Sequence, residues 1–261
     1  MPIVTFIMID GLRPEAITPE HCPALSGVMT RGASTLRASS VLPSITLPCH
    51  MSIFHSVPPV RHGVTTNTWS PMARPLPGLV DVAKASGKRC AFIYNWEPLR
   101  NVSQPGSLWF AHFRDTAEDQ DGDVGVAAEA ARAISSDRLD FVFIYFGTVD
   151  TAGHAYGWMS HDYLAQAAFV DRLLKTVLDA LPTDSLTLIH SDHGGHDRNH
   201  GTDLAEDMTI PWVIAGPGIR QGYTLTGPVS LLDTAPTLAR LLGLSPHHAW
   251  EGRCVEEAFE A

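Results

Sequence analysis

The feature that most constrains this fold is a short apolar run that recurs along the chain and gives way each time to acidic and polar residues. Residues 3–9, Ile-Val-Thr-Phe-Ile-Met-Ile, lead straight into Asp10-Gly11. Residues 140–146, Asp-Phe-Val-Phe-Ile-Tyr-Phe, are followed within four residues by Asp150. Residues 185–189, Ser-Leu-Thr-Leu-Ile, lead to His190, Ser191, Asp192 and His193. These runs lack the strict polar alternation of half-exposed strands and read as strands buried on both faces, as in a parallel sheet. Helical patterns intervene at residues 23–31, 77–86, 123–135, 161–181 and 230–242. The alternation predicts an α/β fold over residues 1–261: a single domain with a mainly parallel central β-sheet and helices on both faces. Two more strands are expected at residues 89–95 and Thr209–Ala215, where Pro211 points either to a sheet edge or to a place among the strand's first residues. Residues 96–119 read as a long loop, which in a compact domain is more often a substrate wall than a linker.

Composition removes several functional classes. With 44% hydrophobic residues in 261, the chain can bury a full core. A net charge of −10 argues against a nucleic-acid polymer or an anionic membrane as partner, since both call for basic patches. No apolar run approaches the ~20 residues of a membrane span. Residues 3–9 have neither a basic flank nor a small-residue cleavage site, so no signal peptide is expected there. Cys22, Cys49, Cys90 and Cys254 are widely spaced with no Cys-x-x-Cys pair, which suits reduced thiols. A soluble, cytoplasmic protein acting on a small molecule is the expectation, and the sequence carries no sign of an oligomeric state.

In open α/β sheets, ligands bind beyond the carboxyl ends of the strands. Asp10, Asp150 and Asp192 are therefore expected at one edge of the sheet. A single strand-end Asp commonly caps a turn; three, with His154, His193 and His200 close behind, are harder to explain in that way. Unpaired, the three carboxylates would repel one another, and bound cations remove that repulsion. If Asp150 opens a helical turn, His154 lies one turn on and on the same face. Mixed oxygen and nitrogen donors suit a borderline divalent ion such as zinc or manganese. Thr46 is placed as the N-cap of a helix running to about His55, with Pro48 in its first turn. A hydroxyl there sits where the helix start favours an anion, and a metal beside it would ionise it as a nucleophile. Asn67, in the turn-rich stretch 58–67, either closes a turn or donates its amide to an oxyanion.

In their order along the chain these motifs resemble the alkaline phosphatase superfamily, most closely its nucleotide pyrophosphatase/phosphodiesterase branch. Thr46-Leu47-Pro48-Cys49-His50 resembles that branch's Thr-Phe-Pro-Asn-His nucleophile motif, with Cys49 in place of Asn. Asp150-x-x-Gly153-His154-x-x-Gly157 matches its metal motif, as does Ser191-Asp192-His193-Gly194. His62-Gly63 with Asn67 is similar to the segment carrying its phosphate-binding asparagine, and His200-Gly201-Thr202-Asp203 to its closing block. The resemblance implies two divalent metal ions, zinc or else manganese. One would be held by Asp10, Asp192, His193 and the Thr46 oxygen, the other by Asp150, His154 and His200. It also implies a two-metal phosphodiesterase with Thr46 as nucleophile, a phospho-enzyme intermediate, and Asn67 with the Thr46 N–H on a non-bridging oxygen. Sulfatases of the superfamily carry Cys-x-Pro-x-Arg or Ser-x-Pro-x-Arg, whereas here Thr46-x-Pro48 is followed by His50. Alternatives are a phosphomonoesterase, a phosphonate hydrolase, a phosphotransferase or mutase of the same superfamily, or a non-catalytic metal-binding protein.

Overall fold

The computed structural model describes residues 2–104 and 106–260. Among them, strands β1 (Val4–Ile9), β2 (Gly32–Ser39), β3 (Cys90–Tyr94), β4 (Phe110–Phe113), β5 (Phe141–Phe146), β6 (Leu186–His190), β7 (Thr209–Ala215) and β8 (Tyr223–Thr224) form one sheet. The helices are α1 (Pro23–Thr30), α2 (Thr46–His55), α3 (Pro59–His62), α4 (Leu79–Ala85), α5 (Asp123–Ser136), α6 (Thr148–Tyr156), α7 (His161–Ala180), α8 (Ala205–Met208) and α9 (Thr234–Leu241). The strand order is β4-β3-β5-β1-β6-β7-β2-β8. All neighbours pair in parallel except β7, which runs antiparallel to both β6 and β2.

Successive strand side chains point to opposite faces, so a run that is apolar throughout must be covered on both. In β1, Val4, Phe6 and Met8 pack on the face covered by α2, α4 and α9. Ile7 and Ile9 pack on the other, with α1, α5 and α7. β5 divides in the same way, with Phe141, Phe143 and Tyr145 on the first face and Val142, Ile144 and Phe146 on the second. Phe143 anchors the first layer: its ring centroid lies 5.2 Å from Phe6, 5.0 Å from Phe54 and 4.9 Å from Phe92. Burying each such ring contributes roughly 1.5–3 kcal/mol.

Three local expectations change. β7 is an interior strand, so of the two placements for Pro211 the edge fails and the strand's first residues hold: it is the third residue, where the pairing with β2 slips at an irregularity between Thr35 and Ala38. β2 was not expected, because Gly32, Ser34, Thr35 and Arg37 interrupt any apolar run. Residues 96–119 contain the four-residue edge strand β4 and a 3-10 turn at Glu97–Asn101. No helix among the described residues is long and apolar enough to cross a membrane. All four cysteines are free thiols.

Candidate active site

Strands β5, β1 and β6 are adjacent and end nearly flush, with Ile9 opposite Phe146 and Met8 opposite His190. Asp10 follows β1 directly, and Asp192 follows β6 by two residues. Asp150 opens a helical turn, the condition under which His154 is expected on the same face. β5 stops at Phe146, and Asp150 lies in the first turn of α6 with His154 one turn on. Buried Asp123 fixes that junction by accepting from the Gly147 N–H (3.0 Å), the Thr148 N–H (3.1 Å), the Thr148 hydroxyl (2.6 Å) and the Asn95 amide (2.8 Å). Gly11 lets α6 come close: its φ is +67°, and a Cβ there would stand 2.9 Å from the Asp150 Cα.

Each of the three site histidines spends its Nδ1–H on a backbone carbonyl. His193 donates to Gly194 (2.8 Å), His154 to Arg198 (3.0 Å) and His200 to Ser44 (2.8 Å). That pattern fixes the tautomer and leaves three Nε2 lone pairs facing inward, as in metal-ligating histidines. The His193 Nε2 stands 3.3 Å from Asp10 Oδ1 and 3.5 Å from Asp192 Oδ2. The His154 Nε2 stands 3.5 Å from Asp150 Oδ2, and the His200 Nε2 stands 3.6 Å from Asp150 Oδ1. The Nε2 atoms of His154 and His200 are 3.1 Å apart, lone pair toward lone pair.

These donors fall into two groups, Asp10–Asp192–His193 and Asp150–His154–His200. Within each, one donor atom per residue lies within 4.8 Å of the others. Asp10 Oδ1, Asp150 Oδ1 and Asp192 Oδ2 are buried with no hydrogen-bond partner. Burial, with the Asp192 and Asp150 charges beside it, holds the Asp10 carboxyl well above the usual carboxylate range. Burial likewise raises Asp150, and together with the Asp150 charge it pushes Asp192 up to about 7. A buried carboxylate oxygen without a partner is costly, and three facing imidazole lone pairs compound that cost. Both groups therefore fit a divalent cation with mixed oxygen and nitrogen ligands.

Thr46 is the first residue of α2 rather than its cap, a place taken by Ile45. Its hydroxyl is thereby free to reach into the cluster, donating to the His193 Nε2 at 3.3 Å. The Thr46 N–H is a first-turn donor with no helical partner. The next N–H, of Leu47, donates to Asn67 Oδ1 at 3.0 Å, which leaves the Asn67 amide –NH2 uncommitted at the cleft. Buried His50 donates its Nδ1–H to the Thr46 carbonyl at 2.8 Å. Cys49 lies inside, 3.3 Å from the Ser40 hydroxyl, and burial pushes its thiol well up. Cys49 does not line the cleft that opens over the cluster.

A cleft of about 460 Å³ opens over the cluster, lined by Asp10, Thr46, Asp150, His154 and His200 and walled by Asn67, Trp96 and Glu118. Larger clefts of about 620 and 640 Å³ lie elsewhere and contain no histidine. Three tryptophans come from loop stretches of the sequence: Trp96 lines this cleft, Trp69 does not, and Trp109 lies under the Arg89 guanidinium at 4.0 Å. Arg61 and Arg198, each close in sequence to one of the motifs, do not line the cleft. Arg61 pairs with Glu251 at 2.8 Å, and Arg198 offers its backbone carbonyl to His154.

Two residues gained importance only in three dimensions. The Tyr145 hydroxyl donates to Asp10 Oδ2, which commits that oxygen and leaves Oδ1 for the cluster. In sequence Tyr145 reads as one more core residue of a strand. Asp207, fully buried, takes the Thr202 N–H (2.9 Å) and hydroxyl (2.7 Å) on one oxygen and His196 Nδ1 (2.7 Å) on the other. It thereby ties together the loop that carries His200, although no motif marks it.

A family model described as type I phosphodiesterase / nucleotide pyrophosphatase matches residues 4–210. Among curated proteins, a choline-sulfatase of Rhizobium meliloti is 37% identical over 93 residues, covering 32% of this chain and 18% of that protein. A phosphopentomutase of Edwardsiella ictaluri is 31% identical over 108 residues, covering 41% of this chain and 24% of that protein. The alignments to the sulfatase relatives span about a fifth of those proteins' length. Among solved structures, an inactive threonine-to-alanine variant of murine ectonucleotide pyrophosphatase / phosphodiesterase 5, in complex with AMP, superposes with a TM-score of 0.82. It is 15% identical, with 100% of both chains covered. A phosphonate monoester hydrolase of Agrobacterium radiobacter gives 0.77 at 18% identity, over 98% of this chain and 76% of that one. At such identities the structural likeness is one of fold.

Proposed function

The chain belongs to the family of type I phosphodiesterases and nucleotide pyrophosphatases, within the alkaline phosphatase superfamily, and on that footing we propose that it is a metal-dependent hydrolase of phosphorus esters with Thr46 as its nucleophile. The observation that carries this reading is the Thr46 hydroxyl 3.3 Å from the His193 Nε2, at the edge of a donor cluster in which one buried oxygen of each carboxylate has no hydrogen-bond partner. Asp10, Asp192 and His193, with the Thr46 oxygen, would hold one divalent ion, and Asp150, His154 and His200 a second, zinc or manganese. When bound, such ions supply Lewis acidity that ionises the threonine hydroxyl and offsets charge on the leaving oxygen.

The Thr46 oxygen attacks phosphorus in line, forming a phospho-threonine as the bond to the leaving alcohol breaks. Water then cleaves the new ester, returning the hydroxyl and releasing phosphate or its remaining ester. The Asn67 amide and the Thr46 N–H, which has no hydrogen-bond partner among the described residues, would hold a non-bridging oxygen through both steps.

The cleft lining holds no lysine or arginine. A neutral amide suits the single charge of a diester or phosphonate monoester, whereas a monoester dianion is better served by a guanidinium clamp. We therefore place phosphodiesters and aryl phosphonate monoesters ahead of phosphate monoesters. The same lack of cations disfavours a mutase, and His50 standing where sulfatases carry Arg disfavours sulfate esters. Four free thiols, three of them buried, suit a reducing, cytoplasmic setting. Turnover of matched nitrophenyl diester, phosphonate, monoester and sulfate substrates by the metal-loaded protein tests the reading. The diester or the phosphonate is expected to give the highest kcat/KM. A faster monoester or sulfate overturns the preference, and no turnover of any of them overturns the hydrolase.

A further inference from the structure

Trp158, in the turn between α6 and α7, packs against both histidines of the second donor group. Its ring centroid lies 5.0 Å from that of His154 at 83° and 5.8 Å from that of His200 at 67°, two edge-to-face contacts. The side chain is buried, and the indole N–H donates to the Gly11 carbonyl at 2.9 Å. The Tyr163 hydroxyl donates to the same carbonyl, and the Gly11 N–H donates to Asp192 Oδ1 at 3.3 Å. Trp158 is thus anchored on the backbone beside the first donor group while its ring meets the second.

Two glycines make room for that ring. A Cβ at Gly153 would stand 2.5 Å from the indole Cε2, and one at Gly195 would stand 2.3 Å from the same atom. Gly153 precedes His154 inside α6, where glycine weakens a helix, and close approach of the indole is the reason for it. The backbone closes the same junction, with the Trp158 N–H donating to the Asp197 carbonyl at 2.8 Å and His154 Nδ1–H to the next carbonyl, of Arg198. One hydrogen bond at Nδ1 sets the tautomer of an imidazole but leaves its plane free to turn about that bond. The indole blocks the turn for both rings. The restraint matters most for His154, whose side chain is 43% exposed against 8% for His200.

We propose that Trp158 is a positioning residue whose indole locks the planes of His154 and His200 with both Nε2 atoms toward Asp150, and so makes the second donor group competent to hold an ion. This rests on the metal-centre reading above. Calorimetric zinc titration of the metal-free wild type, Trp158→Phe and Trp158→Leu reads the two sites separately. In Trp158→Leu the affinity for one ion is expected to fall about 10- to 100-fold and the other to change about threefold or less. Trp158→Phe keeps a ring but not the N–H; it is expected to lose about fivefold at the same site and decides the matter alone if Trp158→Leu does not fold. Equal weakening of both ions, or of neither, overturns the proposal. Ring-nitrogen NMR of the isotope-labelled, metal-free proteins gives a reading that needs no metal. His154 and His200 are expected to be single Nδ1–H tautomers in the wild type and to show averaged shifts in the variants; unchanged spectra overturn the proposal. Averaged shifts in the variants beside a wild type that takes up no second ion support the role of Trp158 and remove the metal reading instead.

Discussion

The imidazole rings of His193 and His200 lie stacked, their centroids 3.8 Å apart and their planes 12° from parallel. One ring follows β6 and belongs with Asp10 and Asp192; the other lies seven residues on and belongs with Asp150 and His154. The two donor groups thus share a wall, so that filling one fixes a ligand beside the other. His200→Ala is expected to cut metal content from two ions per chain to one and turnover at least about 100-fold. Elemental analysis after dialysis, alongside kinetics, checks both. Two retained ions with near-normal rates would remove His200 from the site.

Thr46→Ala is expected to lose about 10³-fold or more in turnover while keeping metal and thermal stability, since the hydroxyl makes no cap bond to the helix. Cys49→Ala, which alters a buried thiol off the cleft, is expected to stay active. Rapid quench with a labelled substrate should find phosphate on Thr46 in the wild type. A Thr46→Ala enzyme with most of its rate intact means that another group attacks.

Tyr145→Phe removes the only donor to Asp10 Oδ2 among the described residues, leaving a second free oxygen on that carboxylate. Metal affinity is expected to fall about 10- to 100-fold, with much of kcat recovered at saturating metal. Competition with a chromogenic chelator reads the affinity directly. Unchanged affinity would reduce Tyr145 to a core residue.

Burial raises Asp10, Asp150 and Asp192 in the metal-free protein, Asp192 to about 7. A carboxyl whose folded pKa lies above its unfolded value near 4 binds its proton more tightly in the folded state. Its contribution to stability is therefore complete below about pH 4 and is lost as pH rises through the folded value. Bound cations replace those protons, so the metal-loaded protein escapes the loss. The Tm gap between metal-loaded and chelator-treated protein is expected to be wider at pH 8 than at pH 5.5, by at least about 5 °C. A gap that is equal or narrower at pH 8 contradicts this account of the buried carboxyls.

Much of this molecule is written locally. The runs at residues 3–9 and 140–146 are apolar on both faces, and only a covered sheet interior hides both faces of a strand, so their central, parallel placement was readable in advance. The acids and histidines that follow them were readable for the same reason, since a ligand edge is where buried strands stop. Residues that act through a partner distant in sequence were not readable. Tyr145 looks like strand filler until the β5–β1 register sets its hydroxyl against Asp10, 135 residues earlier. Asp207 looks like a surface acid until its loop folds back on Thr202 and His196. Thr46 is a plausible helix cap by local rules, yet it is the first helical residue, and its hydroxyl meets His193, 147 residues away, rather than its own helix. Strands β2 and β4 lacked an apolar signal because pairing with β7 and β3, rather than their own burial pattern, makes them strands. Periodicity reports which faces a segment must hide, so the sequence alone determined the class of fold and the edge that bears the chemistry. Which oxygen of a carboxylate is left free, which lone pair faces which, and that Trp158 meets both His154 and His200 depend on chain segments meeting, and tertiary structure alone decided them.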